Sequence, residues 1–357
     1  MVVMADGRLP LPWLAGPLAD ARAQWRSHAL LVHGPAGIGA LELALCLAQS
    51  ALCERGVGRD GLPCGQCAGC HAVQQHTHAD LFVLMPEEQR LSSGWLLAGD
   101  RADAGSTAEE GAKARRKPSR QIRIDEVRAA IDWASTTSAR GGAKLIVLHP
   151  AEAMNLQAAS ALLKTLEEPP AAVRLILVTH DPHWLLPTIR SRCQPWPMTP
   201  PGNADSLAWL QAEGIGEPSV LLAGAGGSPL RARDWAVAGI DGAAWAALPA
   251  AVAQGRGAAA LSGWPLARAI DALQRLCHDA MRVAVGGQPS YFSQGKVPAG
   301  DAGALAVWQR ELVRVGRHDE HPWNEGLLLE SLAAQGRRAL QASRPSRAQT
   351  PLDTLRA

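Results

Sequence analysis

The stretch Leu30–Gln49, LLVHGPAGIGALELALCLAQ, passes from a short apolar run through a glycine-rich turn into an apolar helical pattern. This order is typical of a phosphate-binding loop, G-x-x-x-x-G-K-[ST], in which the lysine binds phosphate and the hydroxyl binds magnesium. The glycines of the turn are Gly34, Gly37 and Gly39. Ala40 and Leu41 stand where the lysine and the hydroxyl residue belong. The stretch therefore predicts a loop with the shape of a nucleotide site, and we expect it to be empty.

A second strand supports the same interpretation. A working ATPase of this layout needs acidic residues at the end of a second apolar strand, where they hold magnesium and position water. The segment Lys144–Asn155, KLIVLHPAEAMN, is the candidate, but His149 and Pro150 occupy those positions. A proline has no basic group, and magnesium prefers hard oxygen ligands to histidine. Both losses together predict a chain that does not hydrolyse ATP.

Short apolar runs alternate with helical patterns before Pro200. The runs are Ala29–His33, Leu81–Met85, Lys144–His149 and Arg174–Thr179. Short buried strands separated by helices predict a parallel sheet. A helix is predicted over Ala158–Glu168, where leucines recur at helical spacing and Pro169 ends the pattern. We therefore expect an α/β domain over residues 1–200.

The pattern changes in four other segments. Residues 86–120 are rich in Gly, Ala and charge and are too long for an ordinary connection, so we expect a mobile surface insertion. Its basic cluster, Lys113–Arg120, is interpreted as a solvated loop in preference to a nucleic-acid contact. After Pro200 the strands stop: residues 201–241 predict a small helical domain and residues 242–335 a larger one. Residues 336–357 have little apolar periodicity and predict a disordered tail.

Composition restricts the class of protein. The 357 residues carry a formal net charge of +2, so no global basic field exists and any contact with nucleic acid would be local. The N-terminus carries no targeting signal, and no apolar window is long enough to cross a bilayer. We expect a cytoplasmic protein without a membrane partner, whose cysteines are thiols or metal ligands.

Four cysteines are grouped in one short window, with the spacing C-x10-C-x2-C-x2-C. They are Cys53, Cys64, Cys67 and Cys70. A two-residue gap lets neighbouring thiolates turn onto one ion, and Gly65 and Gly69 ease the tight backbone. Four sulfurs complete a tetrahedral zinc shell with no place for water, so this module at about 53–70 predicts a structural zinc site.

Other interpretations of these cysteines stay open. Iron–sulfur clusters also use C-x2-C-x2-C runs, although the distant first cysteine and the lack of a proline after the last one favour zinc. The nearby histidines could replace a ligand, but solvent-facing histidines are the plainer interpretation; these are His71, His76 and His78. The scattered Cys46, Cys193 and Cys277 are interpreted as buried small side chains.

The segments AEAMNLQAASALLKTLEEPP and RLILVTHDPHWLLPTIRSRCQ, taken with the cysteine module and the altered loop, resemble the clamp-loader branch of the AAA+ ATPases. The resemblance covers about Pro12–Pro197 apart from the insertion, and beyond that it is architectural. It implies an AAA+-type parallel sheet flanked by helices, with the zinc module inserted. A small helical lid domain and an all-α collar, which forms the oligomer, follow.

The resemblance also implies a role for the motif Ser191-Arg192-Cys193. In clamp loaders this motif lies at a subunit interface and its arginine faces the ATP of the neighbouring subunit, where it stabilises charge on the transferring phosphate. We carry that role to Arg192. The alternative is a surface arginine held by a salt bridge, and the adjacent Arg190 either assists or pairs with a carboxylate.

The function implied by the resemblance is a non-hydrolysing subunit of the DNA polymerase III clamp loader, which loads a sliding clamp onto primed DNA in chromosome replication. The implied partners are ATPase subunits of the gamma/tau type, a delta subunit and, through the complex, the clamp and DNA. ATP is then bound by the neighbours, and the chain belongs to a DNA-directed DNA polymerase holoenzyme. A second hypothesis is a zinc-dependent nucleic-acid-binding protein on a degenerate ATPase scaffold outside the ring. The near-neutral charge counts against it.

Overall fold

A computed structural model describes residues 2–56, 62–97, 118–317 and 323–341. The chain divides into two compact units, Met1–Pro201 and Gly202–Ala357. Each unit has its own hydrophobic core. The first unit is α/β and the second consists of helices.

Five parallel strands form the sheet of the first unit, in the spatial order β2-β3-β4-β1-β5. They are β1 (Ala29–His33), β2 (Leu81–Leu84), β3 (Lys144–Leu148), β4 (Val173–Thr179) and β5 (Gln194–Pro197). The predicted parallel sheet is confirmed, and β1 to β4 match the predicted runs to within one residue. In the register of β1, Leu31 lies opposite Leu177 of β4 and Pro195 of β5.

The sequence analysis did not identify β5, because its residues QPWP lack the apolar pattern of a strand. Proline cannot donate a ladder hydrogen bond and is tolerated only at sheet edges. The strand β5 is such an edge, since it pairs with β1 alone.

Helices surround the sheet of the first unit. They are α1 (Ala15–Gln24), α2 (Ala40–Ala51), α3 (Ala68–Gln74), α4 (Glu87–Ser93), α5 (Ile124–Ala134), α6 (Leu156–Glu167) and α7 (Pro187–Arg190). Short 3-10 turns occur at Pro12–Leu14, Ala151–Ala153 and Pro182–Trp184. The predicted helix before Pro169 is confirmed as α6. It begins two residues earlier because Asn155 Oδ1 accepts a hydrogen bond from Ala158 N at 2.8 Å and caps it.

The sheet is covered on two faces. Alternate strand residues, such as Leu31, Ile146 and Leu177, belong to one core with buried residues of α5 and α6. Successive strand residues point to opposite faces of a sheet. The helix α2 contacts β1, β3 and β4 but contributes no residue to that core, so it covers the other face. The result is a three-layer α/β unit in which the carboxyl ends of the strands and the loop before α2 lie at one edge.

The structure differs from the predicted insertion at its start, where α4 forms. Arg90 of this helix is 2% exposed and donates to Glu126 Oε1 at 2.8 Å and to Met85 O at 2.6 Å. A buried arginine paired in this way fixes α4 against α5. The composition of the segment alone does not indicate this helix. Arg120, at the end of the predicted basic cluster, pairs with Glu88. Residues 98–117 of the predicted insertion lie outside the described residues.

The second unit consists of helices around a core rich in tryptophan. The helices are α8 (Asn203–Ala212), α9 (Pro218–Gly224), α10 (Pro229–Val237), α11 (Gly242–Ala253), α12 (Gly257–Ala260), α13 (Leu266–Ala284), α14 (Ala302–Gly316) and α15 (Glu325–Gln341). Trp245 stacks on Trp235, with ring centroids 4.7 Å apart, and on Phe292 at 4.8 Å. One core cluster extends from Leu210 to Leu340. The division of this unit into lid and collar at residue 241 stays a prediction.

The last helix is longer than predicted. The expected tail begins at residue 336, but α15 continues to Gln341. Ala339 and Leu340 are buried, and Gln341 Nε2 donates to Ala253 O at 2.7 Å. These contacts keep residues 336–341 helical, whereas the rest of the predicted tail lies outside the described residues.

Within the described ranges, no single helix is long and apolar enough to cross a membrane. The helices α10 and α11 meet that criterion only when taken together, and the chain bends by 85° between them.

Candidate functional site

The glycine-rich loop connects β1 to α2 and owes its shape to contacts within the protein. Gly37 and Gly39 have φ angles of 82° and 100°, which side-chain-bearing residues rarely adopt. A Cβ atom on Gly39 would lie 2.6 Å from Leu11 Cδ1, and one on Gly34 would lie 2.5 Å from Met198 O. The glycines are therefore required by backbone conformation and by packing, whether or not a phosphate binds.

The N-terminal segment covers this loop. Trp13 Nε1 donates a hydrogen bond to Ile38 O at 2.8 Å, and Leu11 and Leu14 are buried beside the loop. At the start of α2, Ala40 is 6% exposed. Side chains of the N-terminal segment thus contact the loop at Ile38 and Gly39, just before the positions where a nucleotide-binding chain would bear its lysine and hydroxyl residue.

Polar residues gather where β3 and β4 end. His180 donates to Glu152 Oε1 through its backbone N–H, at 3.1 Å, and its Nδ1 lies 2.9 Å from the same oxygen. Burial raises the pKa of the Glu152 carboxyl, but hydrogen bonds from His180, Thr179 and backbone N–H groups together lower it to about 2. The carboxylate is therefore bound within the protein.

His149, at the predicted magnesium position, is buried beside this pair. Its ring lies 5.5 Å from that of His180, and its Nδ1 has no hydrogen-bond partner among the described residues. Burial, and then the neighbouring His180, lower the pKa of His149 to about 4. A neutral buried imidazole at this position provides no carboxylate for a metal ion, in agreement with the sequence analysis.

The four cysteines of the predicted module come together as a candidate metal centre. Their Sγ atoms, from Cys53, Cys64, Cys67 and Cys70, all lie within 4.8 Å of one another. Two Sγ pairs, Cys64 with Cys70 and Cys53 with Cys67, are 3.9 Å apart. Zn–S bonds of about 2.3 Å in a tetrahedron give S···S edges of about 3.8 Å. The donor set therefore fits a metal such as zinc.

Backbone groups support the sulfurs. Cys67 begins α3, and its Sγ accepts a hydrogen bond from Cys70 N at 3.3 Å, while Cys64 Sγ accepts one from Cys67 N at 3.3 Å. Burial raises the pKa of the Cys67 thiol, but backbone N–H groups lower it more, to about 6. Gly65 has a φ of 69°, and a Cβ on it would meet Met4 O at 2.1 Å. Such N–H groups favour the thiolate, the metal-binding form, at Cys64 and Cys67, whereas burial raises the pKa of the Cys53 and Cys70 thiols.

The histidines near the module do not share one environment. Among the described residues, the group able to hold a metal consists of cysteines alone. His71 is exposed, and His76 stacks on Trp95 with ring centroids 4.0 Å apart. His78, in contrast, is buried, and its Nδ1 accepts a hydrogen bond from Asp80 N at 3.1 Å. The solvent-facing interpretation is therefore wrong for His78, which helps to order the turn before β2.

Arg192 follows α7 and is held against α6. Its Nη2 lies 2.6 Å from Glu167 Oε1, and its Nη1 donates to Thr188 O at 2.9 Å. The Arg192 side chain is 33% exposed and that of Glu167 is 50% exposed. The guanidinium is thus ordered at the surface and accessible to a ligand, and the salt bridge considered in the sequence analysis is present.

The neighbours of Arg192 have supporting positions. Ser191 Oγ donates to Thr188 O at 3.1 Å, and Cys193 is buried in the core, where burial raises its thiol pKa to about 12. Arg190 Nη1 lies 3.4 Å from His183 Nδ1, and no carboxylate partner of Arg190 occurs among the described residues. Ser191 and Cys193 therefore fix the turn, and Arg192 carries the accessible charge.

The sequence analysis missed two contacts of the candidate site, one at Arg192 and one at the glycine-rich loop. Glu167 lies in the quoted motif LLKTLEEPP, so its presence was noticed but its contact with Arg192 was not. The covering of the loop by Leu11 and Trp13 had no signal in the sequence, because it depends on how the N-terminal segment folds back.

Comparisons with known proteins identify the family. The model of the family described as "DNA polymerase III, delta subunit" matches residues 19–201. A delta-prime subunit of DNA polymerase III from Pseudomonas aeruginosa is 41% identical over 216 residues, which cover 59% of this chain and 56% of that protein. The chain belongs to the delta-prime family of DNA polymerase III subunits.

A second relative belongs to the same family of subunits. The delta-prime subunit from Escherichia coli is 31% identical over 216 residues, covering 59% of this chain and 55% of that protein. The chain thus spans about half the length of the curated relatives that it matches. A gamma-subunit-related protein of DNA polymerase III from Thermotoga maritima superposes with a TM-score of 0.44 at 16% identity, covering 92% of this chain and 99% of that one.

Proposed function

We propose that this chain is a clamp-loader subunit on an AAA+-type scaffold that does not hydrolyse ATP. It completes a ring of ATPase subunits and offers Arg192 to the ATP of one neighbour while the sliding clamp is loaded onto primed DNA. The observation that carries the proposal is the accessible, ordered Arg192 in a delta-prime family chain whose own nucleotide site lacks its chemistry.

The state of the nucleotide site supports the first part. The loop has Ala40 and Leu41 in place of lysine and a hydroxyl residue, and Leu11 and Trp13 contact it from outside. The strand β3 ends in a buried neutral histidine where magnesium would need a carboxylate. The chain therefore contributes a scaffold to the ring, and its neighbours bind the ATP.

The chemistry of arginine supports the second part. Its planar, permanently charged guanidinium matches phosphate oxygens, and an arginine supplied in trans can raise the rate of phosphoryl transfer by about 10³–10⁵. Arg192 has three acceptors within the protein, Glu167 Oε1, Thr188 O and Ser191 Oγ, and because a guanidinium has five donors, two N–H groups remain for a ligand. A neighbour's γ-phosphate is the proposed ligand of these groups.

We further propose that the four cysteines hold a structural zinc ion. A closed set of four thiolates leaves no open position, so the ion would stabilise the fold and take no part in catalysis. An iron–sulfur cluster is the competing occupant. A colourless protein that contains one zinc per chain would exclude it.

The function is tested by Arg192→Ala in a reconstituted complex in which only the ATP site facing this chain is active. We expect normal assembly, and a fall of about 10³-fold or more in the DNA- and clamp-stimulated ATPase rate of that site. Arg128→Ala, at an exposed arginine of α5, is the matched control and keeps the rate. An unchanged rate in Arg192→Ala would contradict the role in trans.

A further inference from the structure

We propose that Glu167 is the positioning residue for Arg192. This inference rests on the proposed function, because it concerns how the arginine is prepared for the neighbour's nucleotide. Glu167 is the last residue of α6, and its Oε1 lies 2.6 Å from Arg192 Nη2. A second acceptor is the carbonyl oxygen of Thr188, which lies 2.9 Å from Arg192 Nη1.

The two acceptors restrict the tip of a flexible side chain. An arginine side chain loses rotamer entropy when it is fixed, and a ligand would otherwise have to overcome that loss when it captures the group. Glu167 and Thr188 bind different terminal nitrogens, so together they fix the guanidinium group in direction as well as in place. Part of the ordering is therefore complete before a nucleotide arrives.

The elements that carry this pair are themselves fixed. Leu166, beside Glu167, is 1% exposed, and Ile189 and Cys193, on the two sides of Arg192, are 0% and 7% exposed. All three belong to the same core cluster. A pair anchored at both ends in one core holds a charged group more precisely than a loop does.

The stability of the fold does not explain the pair. Salt bridges between exposed side chains typically contribute little to the stability of the fold, and both members of this pair are partly exposed. The donor count points to a ligand instead. Three of the five guanidinium N–H groups have acceptors, which are Glu167 Oε1, Thr188 O and Ser191 Oγ, and the other two suit a phosphate.

The test is Glu167→Gln in the complex whose only active ATP site faces this chain. We expect kcat for stimulated ATP hydrolysis to fall about tenfold while KM for ATP changes less than twofold, because the amide lacks the charge that holds the guanidinium. Glu167→Asp, which keeps the charge on a shorter side chain, is expected to recover part of the rate. Glu168→Gln is the matched control, since Glu168 is exposed and adjacent in sequence.

A double-mutant cycle separates the two proposals. In the Arg192→Ala background, Glu167→Gln is expected to cause no further loss. If Arg192→Ala alone leaves the rate unchanged, the proposed function fails and the role of Glu167 fails with it. If Arg192→Ala lowers the rate but Glu167→Gln does not, only the positioning role fails.

Two other results would also overturn the positioning role. One is a Glu167→Gln effect of equal size with and without Arg192, since Glu167 would then act through another group. The other is a fall in rate together with a lower melting temperature or weaker assembly, which would mean that Glu167 supports the fold.

Discussion

Single polar residues at the carboxyl edge of the sheet contact one another within the protein. Glu152 is occupied by His180, and His149 is buried and neutral. His180 thus binds one oxygen of the Glu152 carboxylate, and burial keeps His149 neutral, so the protonation of both groups depends on the fold. The consequence at this scale is a stability that depends on pH.

His149 is expected to make the first unit less stable in acid. Its pKa is about 4 in the fold and 6.5 ordinarily, so between these values the unfolded chain binds a proton that the folded chain does not. The free energy of unfolding is therefore not lowered by this residue above pH 6.5, and it decreases as the pH falls from 6.5 towards 4. From pH 7 to pH 5 the loss is about 2 kcal/mol, at about 1.4 kcal/mol per pKa unit.

The measurement is urea unfolding of the intact chain at both pH values. His149→Leu is expected to lose about 2 kcal/mol less than the wild type over this interval, whereas His183→Gln, at an exposed histidine, is expected to follow the wild type. The carboxyl of Glu152 also favours the folded state, but its lowered pKa acts only as the pH falls below about 4.5. An equal pH dependence in wild type and His149→Leu would refute the assignment.

At the scale of elements, the loop before α2 is a structural corner. Its glycines meet Leu11 and Met198 at distances that leave no room for a methyl group. Gly39→Ala is therefore expected to destabilise the first unit through both a left-handed φ and a clash. The strain costs about 1–3 kcal/mol and the overpacking about as much again.

Gly141→Ala is the matched control for this substitution. Gly141 has a φ of 71°, but a Cβ on it would have nothing within 4 Å, so it carries the strain without the clash. Denaturant unfolding is expected to show a loss larger by about 1–3 kcal/mol for Gly39→Ala. Equal losses would show that Leu11 does not press on the loop.

The elements also show what the sequence can and cannot predict. The strands β1 to β4 and the helix α6 were predictable because their apolar periodicity is local. The strand β5 was not, because its prolines are tolerated only at an edge that the sheet order creates. The helix α4 depends on Arg90, whose partner Glu126 is distant in sequence.

The candidate site likewise has one part that the sequence predicts and one part that it does not. The cysteine module was predictable from spacing, because all four ligands fall in one short window. The contact of Glu167 with Arg192 was not, since it arises from the packing of α6 against the turn after α7. Motifs identify the chemistry of single residues, but their partners are fixed by the core.

At the scale of the whole molecule, the two units have separate cores and the cysteines belong to the first. If the cysteines bind zinc, removal of the metal is expected to affect the two units differently. Calorimetry of the intact chain with and without a strong chelator is the measurement. The transition of the first unit is expected to fall by about 2–4 °C for each kcal/mol lost, and that of the second to stay in place.

Three variants assign and check these transitions. Gly336→Ala marks the second unit, because a Cβ there would lie 2.5 Å from Trp308 Cζ2. Cys64→Ser is expected to lose bound zinc, whereas Cys277→Ala, outside the cluster, is expected to keep it. A chelator that moves neither transition would show that the cysteines hold no metal that supports the fold.

The contacts of Leu11 and Trp13 with the loop affect whether substitutions could create an ATP site in this chain. Restoring lysine and a hydroxyl residue at positions 40 and 41 would leave the N-terminal segment on the loop and a histidine at the end of β3. An active ATP site would thus require coordinated changes in three separated segments, none of which is useful alone. If the chain does not hydrolyse ATP, as proposed, a single substitution is therefore not expected to give it ATPase activity.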